Sequence, residues 1–369
     1  MMVHWILSAL FVSALVIVTI AAAGYCWRAF YAFGTRQDET SWVTTSDGWR
    51  LAVHRYRGSE NCGRLPVVLC HGLGANRYVF DLHGEPSLAP FLRRQGWDVW
   101  VAELRGSGMS GRPGLIWSDV PYGWRFEDLL NADMPAIINH VLKKTGAAAI
   151  HWVGHSMGGM LIQAYLSRHS DAPIASVVTV ASPLDFSAFE HAFFKQLLKA
   201  KWIVVLHPYA PIPVINRLLS PFTYRLQNRL AGLFHVPNIH VDAARKYIMA
   251  GTEVMGSREL WLDFKRWLES GQFSGRDGKP YVSETPRVPV LTLGGSADRM
   301  APEVAVKPPY GSPDNPNRHQ CLVLGKAAGC AEDYGHIDLL VGNRSEDEVF
   351  PHISAWMEVH EPGPRKADG

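Results

Sequence analysis

The sequence predicts an α/β fold, in which a mostly parallel sheet is wound with helices on both faces. Short, continuously apolar segments suit strands that are buried on both faces, and amphipathic helical patterns separate these segments along the chain. Glycines bound several of them, as expected where a strand turns sharply into a helix. The predicted strands are Leu65–Cys70, Asp98–Leu104, Ala147–Val153, Ala175–Ala181 and Val288–Leu293.

Other elements can be placed around these strands. Alternating segments at Ser41–Thr44 and Arg50–Arg55 flank a Ser-Asp-Gly turn and predict a β-hairpin. A helix is predicted over Ser87–Gln95, and an apolar stripe predicts another over 126–142, with Pro135 marking a boundary or a kink. Cys321–Leu324 is predicted as a short last strand.

The final helix is predicted to begin at Ser345. Ser345 and Glu348 stand three residues apart ahead of an apolar stripe, which is the pattern of a capping box.

Residues 185–285 interrupt the alternation of strands and helices. The stretch is rich in aromatics and prolines, and its helical patterns near 188–200, 241–250 and 257–269 have no strands between them. We therefore predict a helical cap that lies on the sheet. The alternative for most of these aromatics is that they pack the core of the cap itself.

Composition sets outer limits on function. The chain has 369 residues, 19% of them charged, with a net charge of +2, and shows no basic stripe that would suit a nucleic acid. Histidines and cysteines lack metal-ligand spacing, so no metal or organic cofactor is predicted. Of five cysteines, Cys70 is expected to be a buried thiol, and a Cys321–Cys330 bridge is left open.

The N-terminus contains 21 uncharged residues, Trp5–Tyr25, enough to cross a bilayer as a helix. We predict a retained single-pass membrane anchor whose orientation stays open. The alternative is a cleaved signal peptide of a secreted or periplasmic protein, because Ala21–Ala23 resembles a cleavage site.

The predicted organisation has five parts, whose oligomeric state the sequence leaves open. They are an anchor at 1–27, a first core segment at 40–184, the cap at 185–285, a second core segment at 286–360 and a tail at 361–369.

Ser156 stands where the strand 147–153 must turn into a helix. Gly154-His155-Ser156-Met157-Gly158 matches the G-x-S-x-G nucleophile elbow, in which small residues allow a tight turn and the serine hydroxyl is exposed. Such a hydroxyl needs a neighbouring base to remove its proton. Ser156 is therefore the predicted nucleophile.

The base and its orienting acid are expected on loops that follow later strands. Asp298 follows the strand 288–293, and His336 follows the last strand, which gives the chain order serine, acid, histidine. Asp185 is a competing acid because it follows the strand after the elbow. Asp338 is too close in sequence to His336 to be the expected acid, and His155 should point away from its neighbour Ser156.

Two backbone N–H groups are predicted to stabilise the oxyanion. One belongs to Met157, directly after the nucleophile. The other belongs to Leu73 in His71-Gly72-Leu73-Gly74, the loop that follows the first buried strand.

Over about 42–360 the chain resembles the α/β-hydrolase superfamily. The segments at 66–76, 87–108 and 126–156 are similar to the acid lipases, and GHSMGG at 154–159 is similar to the monoacylglycerol lipases. The resemblance implies a serine esterase or lipase that cleaves apolar or lipid-like esters through an acyl-enzyme, with the insertion as lid. The alternatives are an acyltransferase that uses the same residues and a non-catalytic lipid-binding protein of this fold.

Overall fold

The computed structural model describes residues 2–30, 34–59, 63–112, 123–189, 233–253, 256–308 and 318–362. Its centre is an eight-stranded sheet in the spatial order β1-β2-β4-β3-β5-β6-β7-β8. The strands are β1 Glu39–Thr44, β2 Arg50–Tyr56, β3 Val67–Cys70, β4 Val99–Ala102, β5 Ile150–His155, β6 Ile174–Val180, β7 Val290–Gly295 and β8 His319–Leu324.

The sheet is parallel from β4 to β8 and antiparallel only around β2. β2 pairs antiparallel with β1, as the predicted hairpin requires, and antiparallel with β4 on its other side. The remaining pairs are all parallel. β3, β4 and β5 are buried along their whole length, so the prediction of a mostly parallel α/β fold is confirmed.

Helices cover both faces of the sheet, and the sheet separates the apolar core into two clusters. The described α-helices are α1 Met2–Phe30, α2 Leu88–Arg94, α3 Phe126–Asp128, α4 Met134–Thr145, α5 Met157–Arg168, α6 Val241–Lys246, α7 Arg258–Ser270, α8 Glu303–Val306, α9 Asp338–Val341, α10 Ser345–Glu348 and α11 Phe350–Val359.

A π-helical turn, Leu129–Asp133, joins α3 to α4 directly before Pro135. Met134 N–H donates to the Leu129 carbonyl, five residues back, and Pro135 has no N–H with which to continue the ladder. The predicted boundary at Pro135 is therefore a local widening of the helix.

The predicted capping box at Ser345 is wrong. Arg344 occupies the N-cap position of α10, and Ser345 Oγ donates to the Asp338 carbonyl. The Glu348 carboxylate accepts from the Ala331 N–H and the Tyr334 hydroxyl. Both side chains therefore bind residues that precede α10 instead of the first turn of their own helix.

The predicted cap lies only partly within the described residues. Outside them fall residues 190–232 and 254–255, which include most of the predicted helix 188–200. Helices are present near the other two predicted positions. α6 continues as a π-helical turn over Tyr247–Gly251, and α7 follows. Aromatics described here are mainly buried: Phe186, Phe264 and Trp267 belong to the core cluster on the α5 face. These side chains therefore pack the body of the protein.

The described cysteines, Cys26, Cys70, Cys321 and Cys330, are all free, and Cys70 is buried as predicted. No Cys321–Cys330 bridge is formed.

Within the part of the chain that the structure describes, no helix combines the length and the apolar character needed to cross a membrane. The predicted transmembrane anchor at 1–27 is thus not supported.

Candidate active site

Ser156 sits on the turn between β5 and α5, as the sequence predicts. Its backbone has φ 50° and ψ −118°, a conformation that costs a residue with a Cβ atom about 1–3 kcal/mol. Packing of the neighbouring glycines holds this turn. A Cβ on Gly154 would lie 2.4 Å from the Gly158 backbone, and one on Gly158 would lie 2.2 Å from the Cys70 carbonyl oxygen. The close approach of α5 to β3 and β5 therefore requires both glycines.

Three predicted side chains meet at this turn although they are far apart in sequence. His336 Nε2 lies 3.0 Å from Ser156 Oγ, and His336 Nδ1 lies 2.8 Å from Asp298 Oδ2. The second carboxylate oxygen of Asp298 accepts from the N–H groups of Met300 and Ala301, each at 2.8 Å. His336 and Asp298 are both buried. A hydroxyl, an imidazole and a fixed carboxylate in this order are the groups that nucleophilic acyl transfer by serine requires.

The competing acids lie elsewhere. Asp185 Oδ1 accepts from the Ser187 N–H at 2.8 Å. The buried Asp338 carboxylate accepts from the N–H groups of Gly335 and His235, so it supports the loop that carries His336. Burial raises the pKa of Asp338 to about 6 despite these hydrogen bonds.

Among the described residues, His155 forms a hydrogen bond to the backbone of His336 and none to the serine hydroxyl. Its Nε2–H donates to the His336 carbonyl at 3.1 Å. Burial, together with the neighbouring His336, lowers the pKa of His155 to about 3. His155 is therefore neutral at ordinary pH and acts as a hydrogen-bond donor to the loop of His336.

The loop His71–Gly74 lies directly against Ser156. A Cβ on Gly72 would lie 2.8 Å from Ser156 Cβ. Leu73 N–H and Met157 N–H, the predicted oxyanion donors, form no hydrogen bond to another group among the described residues. Met157 is the first residue of α5, whose N–H cannot be satisfied within the helix.

The His71 side chain stabilises this loop through two hydrogen bonds, a role that the sequence analysis did not predict. His71 Nδ1–H donates to the Gly72 carbonyl at 2.8 Å, and Nε2 accepts from the Leu104 N–H at 3.1 Å. Burial lowers the pKa of His71, which favours the neutral ring that this pair of bonds needs. In the sequence, only its position directly after the strand β3 indicated that His71 lies near the site.

Metal-ion ligands are not clustered here: the described residues contain no group of three or more His, Cys, Asp and Glu side chains that could hold a metal ion.

Curated relatives are similar over most of their length. The chain is 34% identical to the gastric triacylglycerol lipase of Rattus norvegicus over 360 residues, covering 85% of this chain and 87% of that lipase. It is 31% identical to lipase member K of Homo sapiens, covering 86% and 87%.

Solved structures share the architecture. An esterase from Exiguobacterium antarcticum superposes with a TM-score of 0.54 at 17% identity, over 87% of this chain and all of that one. A thermophilic esterase from Thermogutta terrifontis gives a TM-score of 0.52 at 19% identity, over 87% and 99%. The family model described as alpha/beta hydrolase fold matches residues 66–329. Most of the chain thus matches in both sequence and architecture, and it belongs to the alpha/beta hydrolase fold family.

Proposed function

We propose that Ser156, His336 and Asp298 are the nucleophile, base and orienting acid of this carboxylic ester hydrolase. The observation that carries the proposal is the pair of contacts made by His336, 3.0 Å to Ser156 Oγ and 2.8 Å to Asp298 Oδ2. Since Asp298 accepts the Nδ1–H proton, Nε2 is left with a free lone pair directed at the serine hydroxyl. This tautomer is the one that a general base needs.

The reaction then has two halves. Ser156 Oγ attacks the ester carbonyl carbon while its proton passes to His336 Nε2, and the same proton is returned to the leaving alcohol. Water activated by His336 attacks the acyl-enzyme and releases the acid. In both tetrahedral intermediates the N–H groups of Leu73 and Met157 donate to the oxyanion, each contributing roughly 3 kcal/mol of transition-state stabilisation.

The acyl group of the substrate is proposed to be apolar and lipid-like. The support comes from relatives, since a chain 34% identical over nearly its whole length is a triacylglycerol lipase. The described aromatics of 185–285 supply less support than the sequence suggested, because Phe264 and Trp267 are buried in the core.

Covalent labelling tests the nucleophile. A fluorophosphonate probe should label the wild-type chain on Ser156, and Ser156→Ala should abolish labelling and lower turnover by several orders of magnitude while circular dichroism stays unchanged. Labelling of the folded variant at the wild-type rate would reject the assignment.

A series of p-nitrophenyl esters tests the acyl group. Burial of each CH₂ contributes about 0.8 kcal/mol, so kcat/KM should rise roughly tenfold for every two methylenes from acetyl to octanoyl. A series that peaks at acetyl and falls steadily would reject the lipid-like substrate and leave the proposed nucleophile standing.

A further inference from the structure

One segment of the predicted cap, residues 250–253, is bonded to the loop 71–76, which carries Leu73 and is called the oxyanion loop below. The backbone N–H of Glu253 donates to the Gly74 carbonyl at 2.8 Å, and Ala75 forms an antiparallel bridge with Thr252. Gly74 directly follows Leu73, so these contacts hold the oxyanion loop one residue from the proposed donor.

Side-chain hydrogen bonds also connect this loop to the segment 250–253. Asn76 Nδ2 donates to the Ala250 carbonyl and to Glu253 Oε1, both at 2.8 Å. Asn76 Oδ1 accepts from the Tyr78 N–H at 3.1 Å, which fixes the amide orientation. Asn76 and Glu253 are both buried, where a donor or acceptor left without a partner is destabilising.

Glu253 also binds a third loop. Its Oε1 accepts from the Gly108 N–H at 3.2 Å, and its Oε2 accepts from Arg112 Nη2 at 2.8 Å. The carboxylate therefore joins the oxyanion loop, the loop after β4 and the segment 250–253 at one point. Arg112 Nη2 binds Oε2, whereas Asn76 binds Oε1, so the ion pair and the contact to Asn76 can be removed separately. Arg112 Nη2 also donates to the Gly108 carbonyl at 3.1 Å.

We propose that Asn76 and Glu253 are positioning residues that hold Leu73 N–H at the distance from Ser156 that an oxyanion requires. The proposal rests on the proposed function, in which Leu73 N–H is a donor. An electrostatic donor contributes only when it is fixed before charge develops, and a displacement of about 1 Å can cost 100-fold in rate. The two side chains act through the backbone and do not touch the substrate.

Four variants of the full chain separate this role from simple stabilisation. Glu253→Ala removes every side-chain contact, whereas Glu253→Gln keeps an oxygen that accepts from Asn76 and Gly108. Asn76→Ser keeps an acceptor for the Tyr78 N–H but cannot reach Glu253, and it stands in should Glu253→Ala fail to fold. Arg112→Ala is the matched control.

The affinities of two inhibitors distinguish positioning of the oxyanion donor from a purely structural role. A trifluoromethyl ketone forms a tetrahedral adduct on serine with an oxyanion, and the corresponding alcohol binds without one. Glu253→Ala and Asn76→Ser should lower kcat about 10- to 100-fold and weaken the ketone by the same factor. KM and the affinity for the alcohol should change less than about threefold, and the pH profile should keep its shape.

Glu253→Gln should recover most of kcat, and Arg112→Ala should stay within about threefold of wild type. An unchanged kcat in folded Glu253→Ala and Asn76→Ser would overturn the proposal, as would an equal loss of ketone and alcohol affinity. Failure of the proposed function would instead be seen as undiminished labelling of Ser156→Ala.

Discussion

Ser156, the predicted nucleophile, has a strained backbone conformation. The strain arises because the residue carries a Cβ atom. At φ 50° and ψ −118° the Cβ atom is crowded, whereas glycine adopts such angles without this cost. Strain of about 1–3 kcal/mol exceeds the roughly 1 kcal/mol that glycine loses in conformational entropy.

Ser156→Gly is therefore expected to be inactive and about 1 kcal/mol more stable to unfolding than Ser156→Ala, which keeps the Cβ atom. Urea denaturation of the two variants measures the difference. Equal stability would mean that the elbow is relaxed, and strain would then have no part in holding the nucleophile.

Asp298 is the second residue whose effect can be reasoned from its contacts. In Asp298→Asn the amide oxygen is expected to accept from the N–H groups of Met300 and Ala301, which leaves the NH₂ group facing His336 Nδ1. The ring would then carry its proton on Nε2 and could not accept one from Ser156. We expect turnover to fall by roughly four orders of magnitude with folding intact.

Asp185→Asn is the matched control, because among the described residues the Asp185 side chain accepts only from the nearby Ser187 N–H. Its turnover should stay within about threefold of wild type. A large loss in that variant with activity retained in Asp298→Asn would exchange the two assignments.

At the level of whole elements, strands could be predicted because burial on both faces leaves a continuous apolar signature. β3 lies inside its predicted segment and starts two residues later. β5 starts three residues later than its predicted segment and ends two residues beyond it, at His155. The proposed catalytic residues could be predicted for a related reason. Loops at the carboxyl ends of parallel strands meet at one edge of a sheet, so chain order alone brings Ser156, Asp298 and His336 together.

Other features depend on tertiary partners and left no local pattern. Ser345 binds the carbonyl of Asp338 in the preceding helix α9, and Glu253 meets Asn76 across 177 positions of the chain. The predicted membrane span followed from composition alone, and the structure does not support it.

Packing of α5 against β3 provides a test at this scale. In Gly158→Ala the added Cβ would meet the Cys70 carbonyl at 2.2 Å, and a backbone atom cannot move away as a side chain can. We expect a loss of at least about 2 kcal/mol in unfolding free energy and a large loss of turnover as the elbow shifts.

Gly34→Ala is the control, since among the described residues beyond its chain neighbours no atom would lie within 4 Å of the added Cβ. Its stability should stay within about 0.5 kcal/mol of wild type. Comparable stability of the two variants would show that α5 can retreat from β3 without cost.

At the level of the whole molecule, a buried carboxylate directly after β4 connects several separate segments of the chain. Glu103 contacts His54 Nε2 of β2 at 3.0 Å and Arg77 Nη1 at 3.0 Å, and it accepts from the Met109 N–H at 2.7 Å. Burial alone would raise the pKa of Glu103, but the hydrogen bond from His54 and the charge of Arg77 outweigh it. The pKa is held at about 2.

Stability should therefore depend on pH through this group. The folded pKa of about 2 lies below the ordinary value of 4.5, so its contribution is complete above about pH 5 and is lost as the pH falls towards 2. This difference corresponds to roughly 3 kcal/mol, at 1.36 kcal/mol for each pH unit. We expect Glu103→Gln to be less stable than wild type at pH 7, with the gap narrowing between pH 5 and 2.

Urea denaturation of both chains at several pH values checks this expectation. Because the other carboxyl groups are common to the two chains, the difference in unfolding free energy isolates Glu103. A gap that stays constant from pH 7 to 3 would mean that the Glu103 pKa is not lowered by folding. His54 and Arg77 would then act as packing and hydrogen-bond partners, with no net preference for the charged carboxylate.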